Sequence, residues 1–269
     1  MSLPPPRGVL RPQIPEAQFQ HQRHAPCAEL NNWIEHFWFV AWDVQDAEAT
    51  EQTTLPHPNV HLVIEQGEAR IWGVQTDRFT RRLHGKQSVF GIKFRAGGFY
   101  HWLGQPVASI HNQQCAVPAN IASAAEKLTA AVSDKQPFSA LCLLAEQMFL
   151  SLLPQIPNAD PALPLLQQIM QDIVAQPELN SVEDLQKRYG IHKRQLQRLF
   201  QQYVGVSPKW VIQRYRLHEA IARIQSGDSK DWAALALELG YFDQAHFVRA
   251  FRVLTGMTPV AYQQTLLQK

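Results

Sequence analysis

The sequence is poor in cysteine and lacks the short motifs that mark the common enzyme sites. Its 269 residues include three cysteines, Cys27, Cys115 and Cys142, and none of them forms a C-x-x-C pair. This pattern argues against a disulfide scaffold or a zinc ribbon and fits a reducing compartment. The motifs G-x-S-x-G, G-x-x-x-x-G-K-(S/T) and H-E-x-x-H are absent. We therefore expect a protein that is not an enzyme, with no catalytic residue, no metal and no cofactor.

Long apolar segments are missing as well. No run of 18 apolar residues occurs, which argues against a membrane-spanning helix. The first 15 residues contain five prolines and no hydrophobic core of a signal peptide. We therefore expect a cytoplasmic protein with no membrane contact, whose residues 1–15 form an extended, flexible arm.

Charge is nearly balanced over the whole chain, with a net value of +2. Residues 1–159 hold 12 Lys and Arg against 13 Asp and Glu, whereas residues 160–269 hold 13 against 10. A hydrophobic content of 45% and a charged content of 18% fit a folded protein with a substantial core. The modest basic excess of the C-terminal part is compatible with a nucleic-acid partner but does not by itself indicate one.

The N-terminal half is rich in short segments of β-type composition. An aromatic-dense stretch at Ala28–Val44 is the first of them. Three further runs, each punctuated by Gly or Pro, follow at Thr53–Gly67, Ala69–Gly85 and Lys86–Gly98. Strands this short and this close in sequence predict a small antiparallel sheet or barrel.

Helices are predicted after these strands. A short helical turn is expected at Phe99–Leu103, and longer helices at Ile121–Val132 and Phe138–Leu153. The proline-rich stretch Pro154–Pro164 is the expected linker. The predicted fold class is α+β: a barrel-like antiparallel domain with helices at residues 1–155, then an all-α domain at residues 163–269.

Three residues of the N-terminal half are candidates for binding a small-molecule effector: Trp38, His61 and Arg95. Trp38 belongs to an aromatic cluster that either lines a pocket or is simply core. Arg95 precedes two glycines and holds either an anionic ligand or a structural salt bridge. His61 has the helical spacing of a metal pair with His57, but Pro58 breaks a helix between them and a strand would separate them by about 13 Å. We expect no metal there.

The C-terminal stretch Gly240–Pro259 has the pattern of a helix-turn-helix. Ala233–Leu239 is predicted as a first helix that ends at Gly240, and Asp243 as the N-cap of a second helix. The buried stripe of that second helix comprises Phe247, Ala250, Phe251 and Leu254. Its opposite face carries Gln244, Ala245, Val248, Arg249 and Arg252. A basic amphipathic helix after a glycine turn is typical of a DNA-binding helix-turn-helix.

The chain contains this pattern twice, 51 positions apart. Phe247, Phe251, Gly256, Thr258 and Pro259 correspond to Leu196, Phe200, Gly205, Ser207 and Pro208. In both copies the hydroxyl residue is a predicted N-cap and the proline the first residue of the following helix. An internal duplication of this kind indicates a repeated structural unit.

The block from about Leu163 to Gln268 resembles the DNA-binding domain of the AraC/XylS family of bacterial transcription regulators. The second unit of that family follows G-(F/Y)-x-(D/S)-x-x-x-F-x-R-x-F-(K/R)-x-x-x-G-x-(S/T)-P, and this chain supplies Gly240, Tyr241, Asp243, Phe247, Arg249, Phe251, Arg252, Gly256, Thr258 and Pro259. The first unit departs from the family at Gln186, where a small residue normally sits at the contact between the two helices.

In the N-terminal half, L-P-x-x-x-x-H-L-V-I and G-I-K-F-R-A-G-G-F resemble an uncharacterised sensor-like domain that precedes such DNA-binding domains.

The first unit is predicted to consist of Val182–Tyr189 and His192–Tyr203. The outward face of its second helix has no carboxylate and carries Lys193, Arg194, Gln197, Arg198 and Gln201. Arg and Lys can donate to guanine and Gln can pair with adenine, whereas an ordinary solvated helix face is usually mixed in sign. The resemblance implies base or backbone contacts at Lys193, Arg194, Gln197, Arg198, Gln244, Ala245, His246 and Arg249. The face pattern adds Gln201 and Arg252.

A predicted amphipathic helix, Pro208–Gln225, joins the two units. Its 18 residues span roughly 27 Å at about 1.5 Å each. With the capping turns this approaches the spacing of about 34 Å between successive major grooves on one face of DNA. The resemblance likewise implies two recognition helices in adjacent grooves of double-stranded DNA.

The predicted function is therefore a sequence-specific, DNA-binding transcription regulator that is modulated through its N-terminal domain. The expected partners are double-stranded DNA, RNA polymerase, a small-molecule effector and a second copy of the chain bound through the N-terminal domain. One alternative is a DNA-binding auxiliary protein whose N-terminal half mediates only association. Another is an enzyme fused to a DNA-binding domain, for which the sequence offers no catalytic motif.

Overall fold

The computed structural model describes residues 18–45, 50–156, 160–228 and 231–267. The arm expected at residues 1–15 lies outside these ranges. Eight strands are described: β1 Phe19–His24, β2 Ile34–Val44, β3 Thr50–Thr54, β4 His61–Glu65, β5 Glu68–Trp72, β6 Phe79–Leu83, β7 Gly85–Phe94 and β8 Gln114–Cys115. Helices α1 Tyr100–Leu103, α2 Ala119–Ser133 and α3 Phe138–Leu152 follow in the N-terminal part.

The strands form an antiparallel six-stranded sheet in the order β1-β2-β7-β4-β5-β8 and a separate two-stranded ribbon of β3 and β6. The long β2–β7 ladder runs from the pair Val44 and Gly85 to the pair Ile34 and Phe94. Its register shifts between Ile34 and His36, so Glu35 is a bulge residue without a partner in that ladder. The prediction of a small antiparallel β-rich domain is confirmed.

The two faces of the sheet have different neighbours. One face carries Phe37, Phe90 and Ile92, all fully buried in a core that includes residues of α2 and α3. On the other face, Trp42 and Val89 pack with Leu83 of the ribbon in a smaller cluster. Alternation along the strands places successive side chains on opposite faces, so the sheet is covered on both sides.

The C-terminal part is all helical, as predicted. Its helices are α4 Ala162–Ala175, α5 Val182–Tyr189, α6 Lys193–Tyr203, α7 Pro208–Ser226, α8 Trp232–Glu238, α9 Gln244–Thr255 and α10 Pro259–Leu267. Both ends of the stretch expected as a linker belong to regular elements, because a 3-10 turn covers Leu153–Gln155 and α4 begins at Ala162. The domain boundaries at residues 155 and 163 stay a prediction.

Residues of the N-terminal part complete both helical cores. Val74 and Ala96 belong to the core that contains Leu196 and Phe200 of α6. Leu55 belongs to the core that contains Phe247 and its neighbours on α9. Within the described ranges, no helix has the length and apolar character needed to cross a bilayer.

Candidate nucleic-acid interface

The first helix-turn-helix unit, α5–α6, begins with a reciprocal cap. The backbone N–H of Asp184 donates to Ser181 Oγ at 3.1 Å, and the Ser181 N–H donates to Asp184 Oδ2 at 3.0 Å. Such a capping box satisfies two of the free N–H groups at a helix start. Helix α5 ends at Gly190, whose φ of 64° is the left-handed conformation that glycine adopts without strain.

Helix α6 has one buried and one exposed face. Leu196 and Phe200 are fully buried, and Tyr203 is nearly so. The predicted DNA-contacting side chains are all exposed: Lys193, Arg194, Gln197, Arg198 and Gln201. Lys193 also forms an exposed ion pair with Glu183 of α5, with Nζ and Oε1 3.3 Å apart. The face has no carboxylate of its own, but the neighbouring helix brings one to its edge.

The second unit, α8–α9, is capped by aspartates. Asp231 Oδ1 accepts from the N–H groups of Ala233 and Ala234 at 2.9 and 3.2 Å, and Asp243 Oδ1 accepts from His246 at 2.6 Å. Gly240 forms the turn between the helices with a φ of 77°. The predicted N-cap at Asp243 is therefore confirmed.

Helix α9 presents the predicted outward face with two differences in detail. Gln244, Ala245, Arg249 and Arg252 are exposed, and Phe247, Phe251 and Leu254 are buried. His246 is half-buried, with its ring centroid 5.2 Å from that of Tyr241. The prediction that Val248 faces outward is wrong, because this residue packs against the core of the second unit.

The 51-residue repeat corresponds to a repeated local structure. Gly205 and Gly256 both follow the recognition helix with positive φ, at 93° and 84°. Ser207 Oγ then accepts from the N–H of Trp210, and Thr258 Oγ1 accepts from the N–H of Ala261, each at 3.2 Å. The prolines after them open α7 and α10. Both predicted caps are confirmed.

Gln186, at which the first unit departs from the family pattern, is less buried than the equivalent residue of the second unit. Ala236 of α8 is fully buried, whereas its counterpart on α5, Gln186, is half-buried. Helix α5 gains other contacts instead, because Arg188 Nε and Tyr189 OH donate to Asp172 Oδ2 on α4 at 2.7 and 2.6 Å. The hydrogen bond from Tyr189, together with those from Arg188 and Gln168, lowers the pKa of the Asp172 carboxyl. Sequence periodicity gave no sign of this cluster.

Helix α7 joins the two units and carries two buried arginines. Arg216 Nη2 donates to the carbonyl oxygens of Ile173, Gln176 and Leu179 at 2.8, 3.0 and 3.3 Å, and so satisfies the C-terminal end of α4. The Arg214 guanidinium lies 4.5 Å from the centroid of the Trp210 ring. Burial lowers the pKa of Arg214 to about 10. Arg214 and Arg216 therefore stabilise the fold instead of contributing to an exposed basic face.

Of the three effector candidates, Trp38 and His61 are in contact with each other. Trp38 and His61 meet on the ribbon side of the sheet, with ring centroids 6.1 Å apart. Burial, followed by the charge of Lys93, lowers the pKa of His61 to about 3. The Arg95 guanidinium donates to the carbonyl oxygen of Asn31, and its charge also acts on Glu35. Neither Lys93 nor Glu35 was singled out from the sequence, because their pairing depends on the strand register.

Two domain families match separate parts of the chain. A model described as a helix-turn-helix domain matches residues 185–265, and one described as a domain of unknown function (DUF6597) matches residues 22–116. An uncharacterized HTH-type transcriptional regulator of Haemophilus influenzae is 30% identical over 95 residues, which are 35% of this chain and 32% of that protein. The uncharacterized HTH-type transcriptional regulator YisR of Bacillus subtilis is 27% identical over 92 residues, which are 34% of this chain and 32% of that protein. The chain thus matches about a third of the length of each relative.

Solved structures of similar proteins include a probable AraC family transcriptional regulator from Rhodopseudomonas palustris CGA009. It is 28% identical, with 37% of this chain and 94% of that chain covered and a TM-score of 0.33. Unsaturated fatty acid-bound ToxT from Vibrio cholerae is 11% identical, with 96% of this chain and 99% of that chain covered and a TM-score of 0.40.

The two capped helix pairs and the matched family model together define a DNA-binding helix-turn-helix domain in the C-terminal part of the chain. This domain is of the AraC type, with two helix-turn-helix units joined by one long helix, and it follows an N-terminal DUF6597 domain.

Proposed function

We propose that the chain is an AraC-type transcription regulator that binds double-stranded DNA through α6 and α9 in two adjacent major grooves. The observation that carries the proposal is the duplicated unit with two exposed polar faces, each on a helix whose other face is buried. Helix α7 has 19 residues. At about 1.5 Å per residue it spans roughly 28 Å, which with the turns at its ends approaches the groove spacing of about 34 Å.

The two faces support different kinds of contact. On α6, Arg194, Gln197 and Arg198 are long exposed donors that reach base edges in a major groove. On α9, Gln244 and Arg249 are the corresponding donors, while Ala245 offers only a methyl group for contact with thymine. Lys193, Gln201, His246 and Arg252 complete the proposed contact set. We therefore expect more base recognition from α6 and relatively more phosphate contact from α9.

The N-terminal domain touches the first unit through its helices. Gln202 Nε2 donates to Tyr100 OH at 2.7 Å. Asp160 Oδ2 accepts from Tyr203 OH at 2.7 Å and lies 3.0 Å from Nε2 of His101. At Gly205 an added Cβ would lie 3.0 Å from a methyl carbon of Val107, so the turn after α6 packs closely on the N-terminal domain.

The same domain also touches α7, the helix that joins the two units. Arg214 Nη2 on α7 donates to the carbonyl oxygen of Thr76 at 2.7 Å. His218 Nε2, also on α7, lies 3.1 Å from the carbonyl oxygen of Pro56. These contacts support the proposal that the N-terminal domain modulates DNA binding, because a change in its shape would alter the positions of both recognition helices.

In this role the protein acts in the cytoplasm and without catalysis. RNA polymerase is the proposed protein partner, and a second copy of the chain is proposed to bind through the N-terminal domain. A small-molecule effector is proposed to bind the N-terminal domain near Trp38, His61 and Arg95.

The test is selection of binding sites from a random DNA library with the full-length protein. The expected result is a bipartite site whose two parts are about 10 base pairs apart, as two adjacent grooves require. Gln197→Ala should relax the preference at one position, whereas Gln147→Ala, an exposed glutamine on α3, should change nothing. Recovery of a single short motif, or of no motif, would contradict reading by both units.

A further inference from the structure

The turn of the second helix-turn-helix unit is one residue longer than the turn of the first. In the first unit, Ile191 is the single residue between the turn glycine and the N-cap of α6. In the second unit, Tyr241 and Phe242 both lie between the turn glycine and Asp243, the N-cap of α9. The longer turn therefore carries one more apolar side chain at the start of its recognition helix.

The two units place these apolar residues differently. A residue just before the N-cap commonly packs against the fourth residue of the helix. Ile191 follows this pattern, since it packs against the core that contains Leu196. In the second unit Tyr241 takes this place, because it is buried with its ring centroid 5.3 Å from that of Phe247. Phe242 is left outside the core and is 87% exposed.

Phe242 lies at the N-terminal end of α9. It is the most exposed large apolar side chain among the residues that the structure describes. Single exposed apolar residues are common on protein surfaces, so the informative point is its position. The first residues of a recognition helix are those that contact base edges in the major groove. Phe242 and Ala245 are both exposed and flank the N-cap at this end of the helix.

The same end of α9 lacks a cation that could hold a phosphate. Residues 240–248 contain no Lys or Arg, and the first such residue after the turn is Arg249. Asp243 places a carboxylate at the helix start, where it would repel a phosphate. Helix α6 begins instead with Lys193 and Arg194. The start of α9 is therefore better suited to a base edge than to the DNA backbone.

The polar neighbour of these two apolar residues favours the same kind of base pair. Gln244 is exposed and is the first residue of α9. A glutamine amide pairs with N6 and N7 of adenine, and the thymine of that base pair presents its C5-methyl group in the same groove. Arg194 and Arg198 of α6 are matched to guanine instead. The start of α9 thus combines groups that fit A·T pairs.

We propose that Phe242 is a specificity-determining residue that packs on the C5-methyl group of a thymine, with Ala245 on the methyl group of a neighbouring thymine. The inference rests on the proposed function and deepens it, because it names the bases that α9 recognises. Phe and Ala are among the side chains that make apolar contact with thymine methyl groups in the major groove. The contact removes an exposed ring from water, which favours association.

The base is tested with deoxyuridine, which pairs with adenine as thymine does but lacks the C5-methyl group. Each thymine of the selected site is replaced in turn, and the affinity of the full-length protein is measured for each duplex. Replacement at one or two positions, all in one of the two parts of the site, should weaken binding about fourfold, as loss of one buried methyl group predicts. 5-Bromouracil, whose bromine is close to a methyl group in size, should restore the affinity there. Equal affinities for all these duplexes contradict a methyl contact.

The residue is tested with Phe242→Ala and with Phe242→Leu, which keeps a larger apolar side chain. Phe242→Ala should weaken binding to the thymine duplex about fivefold or more and bring the ratio of thymine to deoxyuridine affinity close to one at one of these positions. Phe242→Leu should keep this ratio above one.

The matched control is Val253→Ala, which removes an 84% exposed side chain near the other end of α9. It should leave both the affinity and the ratio as in the native protein. Because Phe242 is exposed, Phe242→Ala should also keep the native thermal midpoint, so a loss of binding reports on the DNA contact and not on unfolding.

The outcomes distinguish a thymine methyl group from other partners of this side chain. If a protein surface covers Phe242, the affinity of Phe242→Ala for DNA is unchanged, and this result overturns the proposal. If Phe242→Ala weakens binding to thymine and deoxyuridine duplexes equally at every position, the ring contacts sugar or backbone and the proposal is wrong. Failure to select any DNA site contradicts the proposed function itself, and the inference with it.

Discussion

Helices α5–α6 and α8–α9 bury equivalent stripes but take their supporting contacts from different parts of the chain. The first unit is tied to α4 through Asp172, and its core includes Val74 and Ala96 of the N-terminal domain. The second unit packs on the C-terminal half of α7, whose Leu217, Ile221 and Ile224 belong to its core, and it receives Leu55 of the N-terminal domain. Caps, turns and stripes are therefore the repeated part of the structure, whereas the long-range contacts are particular to each unit.

The difference extends to the surface. The turn between α8 and α9 exposes Phe242 at 87%, and α9 exposes Val253 at 84%. The corresponding turn of the first unit carries His192, which is exposed and polar. The first unit is thus embedded between α4 and the N-terminal domain, and the second presents more apolar surface to solvent.

The largest expected effects concern the equivalent core phenylalanines. Phe200→Ala and Phe251→Ala should each lower the free energy of unfolding by about 3–5 kcal/mol, because both side chains are fully buried. Chemical denaturation of the full-length variants measures this. Val253→Ala, at an exposed site on α9, is the control and should stay within about 0.5 kcal/mol of the native protein. An unfolding transition unchanged by Phe251→Ala would place the stripe on the other face of α9.

The contrast between repeated and particular contacts explains how much the sequence could predict. The stripe of α9, the turn at Gly240 and the caps at Ser207 and Thr258 depend on residues within a few positions of each other, so periodicity and residue type were sufficient. The same local reasoning missed Val248, whose half-buried position depends on how the neighbouring helices close over it.

Long-range contacts could not be predicted from periodicity and residue type. Arg216 completes the end of α4 some 40 residues earlier in the chain. Leu55 enters a core formed by residues 217–262. The pairing of Lys93 with Glu35 in the N-terminal domain depends on a one-residue bulge at Glu35, which changes which side chains share a face. No periodic pattern reports on these pairings.

The next largest effects separate the two recognition helices by the kind of DNA contact. Gln197→Ala should weaken the selected site by about 1–3 kcal/mol and relax preference at one base pair, because an uncharged glutamine adds little to non-specific binding. Arg249→Ala should weaken all sequences to a similar degree and reduce the slope of log K against log salt by about 1 if it neutralises a phosphate. Binding to a randomised library at two salt concentrations measures both.

The same two variants could also show that the kinds of DNA contact proposed for α6 and α9 are wrong. A sequence preference left intact by Gln197→Ala would show that the α6 face is oriented wrongly with respect to the groove. Base-specific loss from Arg249→Ala, without a change in salt slope, would assign base recognition to α9.

An effect of similar or smaller size is expected where the two units differ in sequence. Ala236→Gln places a long side chain in a fully buried contact and should destabilise the protein by about 1–3 kcal/mol. Gln186→Ala, the opposite exchange at a half-buried position, should change stability by less than about 1 kcal/mol. Thermal or chemical unfolding of the pair measures the asymmetry, and equal losses would show that both units pack alike at this contact.

The smallest expected effect concerns the equivalent caps, and it tests the similarity of the units directly. Ser207→Ala removes the acceptor for the Trp210 N–H at the start of α7, and Thr258→Ala removes the acceptor for the Ala261 N–H at the start of α10. Each should cost about 1 kcal/mol, because one N–H at a helix start loses its partner. Ser207→Thr and Thr258→Ser keep the hydroxyl and serve as controls in the same unfolding measurement. If Ser207→Thr and Thr258→Ser lose as much stability as the alanine variants, the loss comes from packing at the turn and not from the missing hydroxyl. The prediction that the two caps are equivalent would then be wrong.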